Sequence, residues 1–117
     1  MKIYQTSSFV QEDEKVICTI DCKVVPWLCG EPLESEAFEF SVSAHAKCSP
    51  ADEFDLTTGK RIAETRASLK VWRTIKGKLA ERASDLVKRV KEADDDFLRV
   101  ECLIHDTLLH EAELVSE

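Results

Sequence analysis

The sequence predicts an α+β fold: a three-stranded antiparallel sheet followed by a long C-terminal helix or a helical hairpin. Three observations predict it. Two runs in the first half alternate apolar and polar residues with period two, a heptad of apolar residues runs through the second half, and the helix breakers are confined to the front. All three Gly and all three Pro lie at or before Gly77. A chain of 117 residues is one domain with room for one core. Its expected segments are a sheet over 1–48, a connector with a short helical turn over 49–56, a basic long helix over 57–93 and an acidic helix over 94–117.

The first strand is placed near Lys2–Val10, ahead of the polar turn Gln11-Glu12-Asp13-Glu14. In the second, Val16, Cys18, Ile20, Cys22 and Val24 alternate with Ile17, Thr19, Asp21, Lys23 and Val25. In the third, Phe38, Phe40, Val42, Ala44, Ala46 and Cys48 alternate with Glu39, Ser41, Ser43, His45 and Lys47. This period sorts one face toward a core. The segment Pro26-Trp27-Leu28-Cys29-Gly30-Glu31-Pro32 is punctuated as a loop. Three strands with one apolar face need a cover, which the second half must supply.

Ser49-Pro50-Ala51-Asp52-Glu53 has helix-start chemistry, with a capping Ser, Pro at the first position and acids in the first turn. It predicts one short turn, after which Asp55 caps a long helix from about Leu56. Ile62, Leu69, Lys76, Ala83 and Val90 fall seven apart, and Thr65, Trp72, Leu79, Leu86 and Ala93 three positions later in each repeat. Such a pattern argues for helix-on-helix packing, and it continues in phase through Phe97, Val100, Ile104, Thr107 and Leu114. One continuous helix would be ~90 Å long at 1.5 Å per residue. The favoured expectation is a break at Asp94-Asp95-Asp96, because adjacent acids suit a helix start and not a helix end. Gly77 is a rival hinge.

Charge is sorted sharply along the chain. Residues 57–91 hold eleven bases and three acids, residues 92–117 hold nine acids and one base, and the whole chain carries −7. The two halves are either a binding surface beside an acidic tail or segments built for each other. The overall charge opposes wholesale coating of DNA. No run approaches the ~20 apolar residues of a membrane span, and Met1-Lys2-Ile3-Tyr4-Gln5 lacks the apolar core of a signal peptide. The expected location is cytoplasmic. Five cysteines without a Cys-x-x-Cys pair then predict free thiols in a reducing compartment. Cys18 and Cys22 share a strand face but stand ~13 Å apart, too far for one metal ion.

Thr57-Thr58-Gly59-Lys60-Arg61 opens the long helix with free N–H groups, a Gly and two bases, which suits an anion. It is not a Walker A motif, since the first Gly and the following Ser/Thr are missing. Gly59, Lys60, Arg61, Arg66 and Lys70 are the candidate anion- or ligand-binding residues. Leu69, Trp72, Leu79, Leu86 and Val90 are the candidate oligomer interface, and Trp27 in the loop is the better candidate for an exposed aromatic contact. His45 falls on the polar sheet face. His105 and His110 are five apart, and neither has the i, i+4 partner of a metal helix. No segment matches an EF-hand loop, and no nucleophile elbow or Gly-rich dinucleotide loop is present. No catalytic residue, metal or cofactor is expected.

Ala46-Lys47-Cys48-Ser49-Pro50-Ala51-Asp52-Glu53-Phe54-Asp55, with Gly59-Lys60-Arg61-Ile62-Ala63 and Arg66-Ala67-Ser68-Leu69-Lys70, resembles a segment of small bacteriophage and prophage proteins. They carry a similar Cys-x-Pro-x-Asp-x-Phe-Asp … Gly-Lys-x-x-Ala … Arg-Ala run at a strand-to-helix junction. The resemblance lies within residues 46–70 and leaves the acidic segment outside. It implies a phage or mobile-element origin and the bacterial host cytoplasm. A topological likeness to the end of a double-stranded-RNA-binding domain is weaker: the leading helix has no counterpart, and acidic Asp52–Asp55 stands where a basic loop is wanted.

The functional expectation is a non-enzymatic phage or prophage accessory protein that acts by binding as a homo-oligomer, a dimer or higher. Counter-defence would proceed by sequestering an anionic nucleotide-like ligand or occluding a host protein. The alternatives are nucleic-acid binding along the basic helix and a purely structural assembly element.

Overall fold

The computed structural model describes residues 1–47 and 56–116; the expected turn over 49–53, the Asp55 cap and Cys48 lie outside them. Element order is β1 (Lys2–Glu12), β2 (Lys15–Val25), β3 (Trp27–Leu28), β4 (Glu31–Pro32), a 3-10 turn (Glu34–Glu36), β5 (Phe38–Lys47) and α1 (Leu56–Ser116). The fold is α+β, with a three-stranded antiparallel sheet in the order β1-β2-β5 ahead of one long helix. The chain divides into two compact units, Met1–Gly77 and Lys78–Glu117.

In the first unit, Glu12 pairs with Lys15 across a two-residue turn in which Asp13 takes φ +53°. Asp tolerates that left-handed conformation better than most side chains. β2 is the central strand. Its even-numbered residues Val16, Cys18, Ile20, Cys22 and Val24 are all buried. They stand opposite Ala46, Ala44, Val42, Phe40 and Phe38 of β5, so the period-two pattern of both strands sorts one face inward as expected. β1 is less regular: Ile3 and Phe9 share the inner face with Gln5, Ser7 and Gln11, and the last three are exposed. The outer face is polar, with Thr19 and Ser43 hydroxyls 3.1 Å apart and the Ser41 hydroxyl donating to the Asp21 carboxylate.

Between β2 and β5 the chain makes a short excursion, where a plain loop was expected. β3 and β4 form a two-stranded ladder turned on Cys29 and Gly30, whose φ values are +53° and +79°. The Leu33 N–H donates to the Pro26 carbonyl at 2.8 Å, and Lys23 Nζ lies 3.6 Å from Glu34 Oε2. Lys23 is on the outer face, so the excursion returns on that side. Val25 is fully buried although it lies off the core face.

The opening of α1 covers the inner face. Its buried residues are Gly59, Ala63, Ala67, Val71 and Ile75, each four after the last. A row at i, i+4 is a ridge along one helix flank, and here it is built from small side chains that let the helix backbone approach the strands. Arg66 Nη1 donates to the His45 carbonyl at 2.9 Å and Lys70 Nζ to the Ser43 carbonyl at 2.6 Å, so the helix runs antiparallel to β5. Side-chain size rises in step along both elements, from Gly59 and Ala63 to Val71 and Ile75 on the helix, and from Ala46 and Ala44 to Val42 and Phe40 on the strand. The core is therefore a wedge that widens away from the helix start.

The large heptad residues of this stretch point away from the sheet: Ile62 is 40 % exposed, Leu69 48 % and Trp72 50 %. The favoured break at Asp94–Asp96 is corrected, since α1 passes through the triplet unbroken. An exposed Asp costs at most ~0.7 kcal/mol in a helix. Spacing places Lys91 and Asp95, and Asp95 and Arg99, at i, i+4 with opposite charge. Gly77 is also helical, and a Cβ there would meet open space.

Ala67→Leu is expected to lower the stability of the sheet-bearing unit by about 1–3 kcal/mol through overpacking, read as a lower urea midpoint. An unchanged midpoint would contradict the close seating of the helix.

Candidate assembly interface

Two sets of side chains qualify as a site: the basic residues at the start of α1 and the apolar residues along its outer face. The structure treats them differently.

The basic set is not convergent. Gly59 is buried in the row against the sheet. Lys60 Nζ sits 5.6 Å from the ring centroid of Phe9 on β1, a cation–π distance. Arg66 and Lys70 reach the opposite flank and donate to β5 carbonyls, groups that β5 would otherwise present along its edge. Arg61 is exposed, and its carbonyl accepts from Thr65 Oγ1 at 2.8 Å. The five residues grouped by sequence thus lie on both flanks of the helix, and three of them make contacts within the fold.

The apolar set occurs in both units. Leu69 and Trp72 are exposed in the first unit. In the second, Leu79 and Leu86 are half-buried, and Val90 is 69 % exposed. Beyond the expected five, Phe97, Val100, Leu103, Ile104, Leu108 and Leu114 are each at least half exposed. Val100, Leu103, Ile104, Thr107 and Leu108 line a shallow apolar depression, and their positions at i, i+3, i+4, i+7 and i+8 put them on one helix face. Thr107 belongs to this face because its hydroxyl is spent on the Leu103 carbonyl at 2.7 Å, leaving its methyl outward. Leu103 and Leu108 flank the heptad on either side, so the apolar strip is broader than the heptad alone indicated. Their contribution is visible in the sequence once the i+3, i+4 neighbours of Val100 and Ile104 are counted.

Thiols and imidazoles fall where packing puts them. Cys18 and Cys22 are buried, while Cys29 and Cys102 are exposed, and all four are free. Burial pushes the Cys18 thiol pKa up, with the nearby Glu64 charge adding to the effect, and burial alone raises that of Cys22. These are unreactive core thiols. His45, His105 and His110 are exposed, and among the described residues no cluster of His, Cys, Asp or Glu is arranged to hold a metal ion. Trp27 is exposed on β3, as expected for that position. No helix among the described residues is long and apolar enough to cross a membrane. No protein family, curated protein or solved structure matches the chain.

The buried thiols set a pH dependence. Their folded pKa lies above the ordinary 9.0, so the unfolded chain binds fewer protons once pH passes that value. Their contribution to stability is complete below pH 9 and is lost as pH rises toward their folded pKa. Urea midpoints are expected to fall from pH 8 to pH 10, and to fall less in Cys18→Ala/Cys22→Ala. Equal slopes in the two proteins would contradict the assignment.

Proposed function

We propose that this chain is a non-enzymatic phage or prophage accessory protein that acts by binding, as an oligomer. The observation that carries the reading is the exposed apolar strip of α1. A row of large apolar side chains from Leu79 to Leu114 has no covering element in its own unit, which consists of helix alone among the described residues. Isolated helices gain little from propensity and are held in proteins by burial of such a face. A contiguous apolar patch of this kind marks a surface for another chain. The phage setting rests on the resemblance of residues 46–70, and it brings with it the bacterial cytoplasm and a counter-defence role.

Of the two counter-defence modes, the geometry favours occluding a host protein over sequestering an anionic ligand. The bases that would hold the anion do not converge, and Arg66 and Lys70 already bind strand carbonyls. The same two contacts weigh against the basic helix as a nucleic-acid surface, since both bases lie against the sheet.

Native mass spectrometry of the full chain at micromolar concentration is expected to give a defined oligomer. Phe97→Asp/Ile104→Asp should weaken it by at least about 100-fold, from about 1.5–3 kcal/mol per buried large apolar side chain. A wild-type monomer at tens of micromolar would contradict the reading.

A further inference from the structure

We infer that the apolar strip of the second unit is covered by the same strip of a second copy, running antiparallel, with the crossing point between Lys91 and Glu92. The inference rests on the oligomeric reading above and specifies its partner and register.

Charge is the first argument. Net charge inverts between Lys91 and Glu92. The fourteen residues on one side, 78–91, hold five bases (Lys78, Arg82, Lys88, Arg89, Lys91) and two acids (Glu81, Asp85). The fourteen on the other side, 92–105, hold five acids (Glu92, Asp94, Asp95, Asp96, Glu101) and one base, Arg99. The helix is unbroken across this boundary, so the two arms cannot fold onto each other within one chain. A parallel pair would set basic arm on basic arm and acidic on acidic. An antiparallel pair sets each basic arm on an acidic one, twice. Exposed pairs are individually weak, but like-charge juxtaposition along two arms is a strong selector of orientation.

Packing is the second argument, and it is independent of charge. In an antiparallel helix pair, core layers form where an a position meets a d position. Crossing between Lys91 and Glu92 satisfies that condition along the strip. Leu79 meets Ile104 of the second copy, Ala83 meets Val100, Leu86 meets Phe97 and Val90 meets Ala93. Two of these layers match a small residue to a larger one, and none holds a charge. In this register the charged a positions Lys76 and Glu111 meet Thr107 and Trp72, outside these four layers; sliding by one heptad brings Glu111 against Leu79, or Lys76 against Val100, and moves a charge inward along the seam. The favoured crossing also places Arg89 and Asp96, both directly before an a position, on the same side of the seam. The register that fills the layers is thus the register that matches the charges.

Engineered disulfides test the register in the full chain. In a Cys29→Ser/Cys48→Ser/Cys102→Ser background, Leu79→Cys and Ile104→Cys are made separately, and helix content is checked by circular dichroism. Mild oxidation of the equimolar mixture is expected to give disulfide-linked dimers containing one chain of each variant, while either variant alone stays unlinked. Linked dimers of Leu79→Cys alone would overturn the antiparallel arrangement. An oligomer by native mass that links in no combination would overturn the register while leaving the oligomeric reading intact. A monomer by native mass before oxidation would overturn both.

Discussion

The contact between α1 and the inner face of the sheet decides how the rest of the chain is used. Gly59, Ala63, Ala67, Val71 and Ile75 make one flank of the helix small enough to be buried against the sheet, on whose inner face the even-numbered side chains of β2 are all buried. A helix seated on its small residues must turn its large ones outward. Ile62, Leu69 and Trp72 are therefore surface residues in the sheet-bearing unit, although they are large and apolar. The polar contacts follow from the same seating. Arg66 and Lys70 lie on the flank above β5, close enough to donate to the His45 and Ser43 carbonyls, and Lys60 lies on the flank above Phe9.

The seat ends at Ile75, and the helix does not. From Lys78 onward none of the described residues is buried, and the apolar face continues to Leu114 with no covering element among the described residues of its unit. Small domains do not usually leave such a face to water. The sequence pays for no hairpin that would cover it, since there is no Gly or Pro beyond Gly77. Sorted charge and an uncovered strip on one unbroken helix make a second chain the natural cover. Burial of that strip, more than the weak exposed ion pairs, would supply the free energy of association, with charge choosing the direction.

Much of the fold was legible in the sequence, and the misses have specific causes. β2 and β5 were legible because strict alternation of Val16 to Val24 and of Phe38 to Ala46 has one structural solution. β1 was harder, since Gln5, Ser7 and Gln11 occupy its inner face at an edge that the helix covers only in part. The heptad of Ile62, Leu69, Trp72 and Leu79 was legible as an apolar helix face, but the flank that meets the sheet was not. Pattern reading weights large apolar residues, whereas close approach of a helix to a sheet selects small ones. The Gly59-Ala63-Ala67 run at intervals of four was the missed signal. Adjacent acids and the opposite charge of the two segments point to a break at Asp94–Asp96, but the opposite charges four residues away and the in-phase apolar positions on both sides favour continuation, and the helix continues. In the candidate site, Gly59, Lys60, Arg61, Arg66 and Lys70 looked like one cluster by proximity in sequence. A helix turns 100° per residue, and the sheet beneath it separated them to two flanks.

The central claim is that one helix has two kinds of support, the sheet for residues 59–75 and another chain for the strip beyond. Amide hydrogen exchange of the full chain, followed at high and low protein concentration, tests it directly. The account predicts that amides of β2 and of residues 59–75 are equally protected at both concentrations, whereas those of residues 87–114 lose protection on dilution. Protection of residues 87–114 that is independent of concentration, or loss of protection in both segments together, would contradict it.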